Sequence, residues 1–270
     1  MRDCMKYINH LGEVIEFGKG SILINENDFR DYEWTYLSEN EKITGFKKGI
    51  ITKELPVIVY GKNAKEIADD IFEKIEKDVV SNKKGKMYVG DYYITGRFIT
   101  ASYEGYTKAY SIEFTLKFVV EEGTWIKEAK KQFYPQEEQD DSVGFDFPMN
   151  FPIDFAATGV GYKTWNVDHY TKSHFEMTIY GPCVNPRVLI NEYPYQIFTE
   201  LQKGEYLILS SRENTVIKVL SDSSQENIYN SRQFYPSVFE KIPNGNLEIN
   251  WSGKFGFDIT LYLERSKPKW

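Results

Sequence analysis

The sequence predicts a mainly β protein of two domains with a single long helix. Three observations carry that reading. Apolar and polar residues alternate over many short stretches, as in Ile112, Phe114, Leu116 and Phe118, and a period of two marks a half-buried strand. Only one stretch, Asn63 to Lys83, repeats its apolar residues at helical spacing. Aromatics make up 16% of the chain, mostly 20 Tyr and 18 Phe, which favours strands and contact surfaces over helical bundles. At 270 residues there is room for one large or two ordinary domains.

Taken in order, Tyr7 to Phe17 reads as a hairpin with Gly12 in its turn. Ser21 to Asn25 is a short apolar run. Trp34 and Tyr36 alternate out of a polar stretch, and Ser38 to Lys42 reads as a loop. Leu55, Val57 and Val59 share one face of a strand ending at Gly61. The helix follows. Asn63 is its expected N-cap, with Glu66 at the capping-box position. Ile67, Ile71, Ile75 and Val79 recur every four residues beside Ala64, Ala68 and Phe72. Lys83, Lys84 and Gly85 are its stop signal. Such a stripe among strands is expected to bury itself on a sheet. Gly90-Asp91 and Gly96 then divide Lys86 to Tyr103 into short β segments rich in Tyr. Ile112 to Val120 is a strictly alternating strand.

Composition shifts at Lys130 to Asp141, which has few apolar residues and the densest acid run of the chain. The domain boundary is expected there. The second half is β throughout: Phe175, Met177 and Ile179 on one strand, then Val188 and Ile190, then Tyr206 to Leu209 after the Lys203-Gly204 turn. Leu247, Ile249 and Trp251 follow Pro243-Asn244-Gly245, and Phe255 to Leu263 alternate after Ser252-Gly253-Lys254. Short strands with turns between them and no second helix mean a β-sandwich or a barrel.

A formal net charge of −7 gives no reason to expect phosphate-backbone binding. No apolar run has the length of a signal peptide core or a bilayer span. Cys4 and Cys183 are expected to be free thiols of a reducing compartment. Asp168, His169, His174 and Glu176 are close enough to raise a metal site, but their spacing matches no metal signature, and a surface histidine pair is the favoured reading. Glu137, Glu138, Asp140 and Asp141 read as a solvated linker. Asp154, Asp168 and Glu176 are the carboxylates available for glycoside hydrolysis, with no spacing that singles them out. Tyr162, Trp165 and Tyr170 are candidates for a sugar-stacking platform, with ordinary core or rim the weightier reading. No nucleophile elbow, phosphate-binding loop or dinucleotide fingerprint is present. No catalytic residue, cofactor or metal is therefore expected.

Several stretches, in order, resemble the siphophage distal tail protein family, often called Dit. They are the opening YINHLGEVIEFG, the segment MYVGDYYITGRF (Met87 to Phe98) after the helix, MTIYGPCVNPRVLIN (Met177 to Asn191), KGEYLILS (Lys203 to Ser210), and the ending INWSGKFGFDITLYLERSKPKW (Ile249 to Trp270). The resemblance implies an N-terminal β-sandwich or split-barrel-like ring domain with one helix and an extended hairpin over residues 1–133. A linker over 134–150 and a galectin-like β-sandwich over 151–270 complete the expectation. It also implies a structural role without enzymatic activity. On that resemblance six copies are expected to form a ring at the tip of a non-contractile phage or prophage tail, assembled in the host cytoplasm. The ring joins the tail-tube protein to the tail-associated hub or fibre protein and docks receptor-binding proteins, with no nucleic-acid recognition and no membrane insertion. In that setting the Tyr88 to Tyr103 segment is expected to serve an inter-protomer interface. The alternative is a β-sandwich carbohydrate-binding protein or glycosidase acting on cell-surface polysaccharide.

Overall fold

The computed structural model describes residues 5–105, 110–136 and 161–269. The chain is mainly β with one α-helix. It divides into two compact units, residues 1–127 with 264–270 and residues 128–263. The final seven residues thus belong to the first unit, although sequence places them in the second domain. Arg30 accounts for part of this, since its guanidinium donates to the carbonyls of Pro268 at 3.4 Å and Lys269 at 3.2 Å.

The first stretch of chain forms β1 (Met5–Ile8), β2 (Val14–Phe17), β3 (Ile22–Ile24), β4 (Thr35–Glu39), β5 (Lys42–Lys47) and β6 (Ile51–Tyr60). Helix α1 (Ala64–Val80), β7 (Gly85–Val89), β8 (Tyr92–Gly105), β9 (Ser111–Val120) and β10 (Trp125–Phe133) follow. All pairings here are antiparallel. β1 lies between β2 and β7, β8 pairs β7 with one half and β9 with the other, and β6 lies between β9 and β3. The alternation read from sequence is the packing observed. Leu55, Val57 and Val59 of β6 and Phe114, Leu116 and Phe118 of β9 point into one core with Tyr7, Phe17, Phe98 and Trp125.

Gly96 does not break its strand. A Cβ there would lie 2.2 Å from the Val119 carbonyl oxygen and 2.8 Å from the Phe118 ring. The glycine is needed for close approach inside the 14-residue β8.

The helix differs from its expectation at both ends. Asn63 makes no side-chain cap bond. The stop is set by Asn82, whose φ of 50° is left-handed. Around it Lys83 N donates to Asp78 O at 2.9 Å and Asn82 N to Val79 O at 3.0 Å, the bonds of a Schellman turn. The buried face is Ala64, Ala68, Ile71, Ile75 and Asp78. Its steps alternate four and three, so after Ile75 the stripe reaches Asp78 and leaves Val79 exposed.

The remaining strands are β11 (Gly161–Val167), β12 (His174–Tyr180), β13 (Cys183–Val184), β14 (Arg187–Ile190), β15 (Tyr193–Gln196), β16 (Glu200–Leu201), β17 (Tyr206–Ser210), β18 (Thr215–Val219), β19 (Gln225–Asn227), β20 (Gly245–Trp251) and β21 (Phe257–Arg265). One antiparallel sheet runs β19-β18-β17-β12-β21, and a second runs β11-β20-β14-β15. Phe175, Met177, Leu207, Leu209, Ile259 and Leu261 from the first and Val188, Ile190, Leu247, Ile249 and Trp251 from the second share one apolar core. This is the sandwich that the alternating runs predict. Tyr162 and Trp165 lie on strand β11, which is in full register with β20 from Gly161 opposite Trp251 to Val167 opposite Gly245.

Candidate assembly interface

The most unusual surface of the first unit is the β4–β5 ribbon. Asn40 and Glu41 at its tip have φ of 48° and 61°, the two positive angles of a tight hairpin whose twist matches its strands. Among the described residues neither strand pairs with a third one. Tyr36 stands directly opposite Phe46, and two residues on Ser38 stands opposite Ile43, so Tyr36, Phe46 and Ile43 share a face. Their exposures are 62%, 63% and 61%. A lone two-stranded ribbon is marginal in water. Full burial of large apolar side chains is worth about 1.5–3 kcal/mol each. Among the described residues nothing covers this face, which makes it a candidate assembly surface.

The base of the ribbon is held firmly. Lys53, almost fully buried, donates to the Asp28 and Asp31 carbonyls at 2.7 Å each. Glu54 N donates to Asp28 Oδ1 at 2.8 Å. Phe29, between those anchors, packs against Phe118 and Trp125. On the return side, Lys48 Nζ donates to Thr124 Oγ1 at 3.3 Å and sits 4.8 Å from the Trp34 ring centre. Burial lowers its pKa. The arm is therefore positioned at its root and bare along its length.

A second corner is built around buried Asp78. Its carboxylate accepts from the Tyr7 hydroxyl and from His10 N at 2.9 Å, and His10 Nδ1 lies 2.5 Å away. Burial, together with this carboxylate, pushes the Tyr7 phenol far above its ordinary range. Asn9 closes the loop, its Oδ1 accepting from Leu11 N at 3.0 Å and Glu13 N at 2.9 Å. Lys77 Nζ donates to Glu13 at 2.9 Å. A Cβ on Gly85 would collide with Tyr7 and Asp78, so only glycine admits this network. The corner holds Leu11 and Val80 rigidly in the open beside a shallow pocket lined by His10, Glu73, Glu76, Lys77 and Ser81.

The Tyr-rich segment, Tyr88 to Tyr103, is divided between core and surface. Tyr92, Tyr93 and Phe98 are core residues. Lys86 Nζ lies 4.4 Å from the Tyr93 ring centre and Lys6 Nζ 4.7 Å from that of Tyr88. Ile99 and Tyr103 are exposed.

The candidate chemical residues are not gathered into a site. Among the described residues no group of three or more His, Cys, Asp or Glu is disposed to hold a metal. His174 Nδ1 faces Ser211, 3.1 Å from its carbonyl and 3.2 Å from its hydroxyl. His169 lies against the Tyr170 ring. Glu176 is on β12 and Asp168 in the preceding loop. Asp154, Cys4 and the run Glu137, Glu138, Asp140, Asp141 lie outside the described residues. Burial pushes the Cys183 thiol up to about 11. The sugar platform is divided: three residues apart on β11, Tyr162 points outward while Trp165 packs against the core. Tyr170 is exposed in the loop beyond.

Structural comparison supplies what the sites do not. The SPP1 Dit protein, described as a paradigm of the hub adsorption apparatus in Gram-positive infecting phages, superposes with a TM-score of 0.59 at 9% identity. The match covers 97% of this chain and 99% of that one. A chain of the phage P2 baseplate in its activated conformation with calcium gives 0.63 at 13% identity, covering 99% and 100%. The same baseplate with strontium gives 0.63 at 12%, again covering 99% and 100%. The chain has the Dit fold. No protein-family model and no curated sequence matches it. At such identities the fold is what is shared. The Dit fold extends over both units, as coverage of 97% and more requires.

Proposed function

We propose that this protein is a structural distal tail component, the baseplate hub protein of a non-contractile phage or prophage tail. Six copies close into a ring at the tail tip, through heterologous contacts that repeat around an axis. One observation carries the reading: a chain of the Dit fold presents an anchored, unpartnered ribbon with a bare apolar face. An exposed apolar face of this kind is suited to contact with another chain. The first unit makes the ring, and the second unit, galectin-like in the family resemblance, lies outside it. The ring joins the tail-tube protein to the hub or fibre protein and carries receptor-binding proteins. It acts by assembly and not by turnover. Its net charge of −7 suits a channel that lets DNA pass without gripping phosphates. The protein is made and assembled in the host cytoplasm and ends in the virion.

Negative-stain images of the purified chain test this. Rings of six-fold symmetry are the expected result. Particles of a single subunit at every concentration, with and without a tail-tube partner, would overturn it.

A further inference from the structure

The outer face of the β11-β20-β14-β15 sheet carries a second kind of surface. Val188, Ile190, Ile249 and Trp251 are buried, so Arg187, Leu189, Asn250 and Ser252 between them face outward. With the β13 segment and the turn after β20 they line an open cavity of about 640 Å³, within the usual range for a small-ligand site. Its charge is one-sided. Arg187 and Lys254 both line it, and no Asp or Glu does. This occurs in a chain with 40 acidic and 33 basic residues. Among the described residues neither the Arg187 guanidinium nor the Lys254 ammonium has an ion pair or side-chain hydrogen bond. The Asn185 and Asn250 amides, also in the wall, make no internal hydrogen bonds either. Elsewhere on this protein surface lysines are commonly paired, as Lys172 is with Glu240 and Lys218 with Glu205. The floor is apolar at Leu189 and Phe255. Tyr162, Asn250 and Leu189 stand in one row across three strands, which puts an exposed flat ring at the margin.

We propose that this cavity binds a phosphorylated sugar unit of an anionic glycan. The two cations take the phosphate, Arg187 through its planar fork and Lys254 as a point charge. The amides of Asn185 and Asn250 and the Ser252 hydroxyl have the donors and acceptors that sugar hydroxyls need. Tyr162 offers a ring face on which a sugar C–H surface rests. An acidic peptide satisfies the cations but leaves the amide row and the ring unused, so the sugar phosphate is the better match. The inference concerns the second unit alone and holds whether or not the chain assembles into a ring.

The test is ligand-observed NMR titration of the whole chain with N-acetylglucosamine 1-phosphate. N-acetylglucosamine, inorganic phosphate and poly-glutamate are titrated in parallel. The sugar phosphate is expected to bind at least tenfold more tightly than the neutral sugar or inorganic phosphate. Arg187→Gln and Lys254→Gln should each weaken it at least tenfold, and Lys172→Gln, at a lysine outside the cavity wall that pairs with Glu240, should not. Both charge variants are surface changes, and unaltered melting curves confirm that they fold. Four results would overturn the proposal: no binding by the wild type, binding indifferent to both variants, inorganic phosphate binding as well as the sugar phosphate, or poly-glutamate binding more tightly than either.

Discussion

The two units bury different things. In the first, the polar groups taken out of water include two charged ones, Lys53 and Asp78, beside Asn9 and Thr115. In the second they are the hydroxyls of Ser173, Ser210 and Ser211. Each buried charge in the first unit fastens a protruding piece: Lys53 the root of the β4–β5 ribbon, Asp78 the loop between β1 and β2. A buried charge is costly unless its bonds are complete, and here they fix the aim of segments that show Tyr36, Phe46, Leu11 and Val80 to solvent. The second unit spends its polar burial locally. Ser211 bonds both backbone groups of Phe175 on the neighbouring strand. The first unit thus uses buried polar groups to aim exposed segments, and the second uses them to tie neighbouring strands together.

The strongest way to break the first unit is through its helix. Ile71, on the buried stripe, replaced by Asp, places an unpaired charge in the core, at a cost of several kcal/mol, on the order of total domain stability. The first unit should unfold in thermal melts monitored by near-ultraviolet dichroism, and a wild-type melt would remove the helix from its sheet.

The comparison itself is sharpened by Asp78→Ala against Ser211→Ala. The first strands the Tyr7 hydroxyl and two His10 donors and should cost roughly 3 kcal/mol in urea unfolding. The second loses a neutral hydroxyl and should cost about 1 kcal/mol. Equal costs would erase the distinction between the units.

Alkali should weaken both units. Burial raises the phenols of Tyr7 and Tyr195 far above their ordinary value near 10. Above pH 10 the unfolded chain releases these protons and the folded chain keeps them, so stability is full below pH 10 and falls as pH rises. Each fully buried ring contributes a slope of about 1.4 kcal/mol per pH unit. Urea titrations from pH 9 to 11 measure it, and a flat profile would contradict the burial of both rings.

The smallest effect is expected at Asn63→Ala. A true N-cap loss costs about 1 kcal/mol, but Asn63 makes no side-chain cap bond, so the change should stay below ~0.5 kcal/mol. A larger loss would restore the cap read from the sequence.

That contrast shows what the sequence made legible. Strands with one buried face announced themselves, because Leu55, Val57 and Val59 or Phe257, Ile259 and Leu261 alternate with polar partners. The helix was visible, but a strict four-residue repeat led to Val79, while the real face steps to Asp78, a carboxylate no apolar pattern reveals. The β4–β5 ribbon was half hidden for the opposite reason. Exposed on both faces, it has no alternation to read, and its tip resembles any polar loop. The Tyr-rich segment was only partly legible, because large rings suit a core and an interface equally, and only burial separates Tyr92 and Tyr93 from Tyr103. The shared cavity of Arg187 and Lys254 was invisible, since the two are far apart in sequence and come to one wall only through the fold.

The measurement that bears most directly on the central claim is light scattering of the 31.6 kDa chain beside its Tyr36→Ser, Phe46→Ser double variant, across a concentration series. Both side chains are exposed, so the variant should melt like the wild type. The account predicts a wild type near six times the chain mass and a variant near one. Identical masses for the two proteins would mean that the bare face of the ribbon does not hold the assembly together.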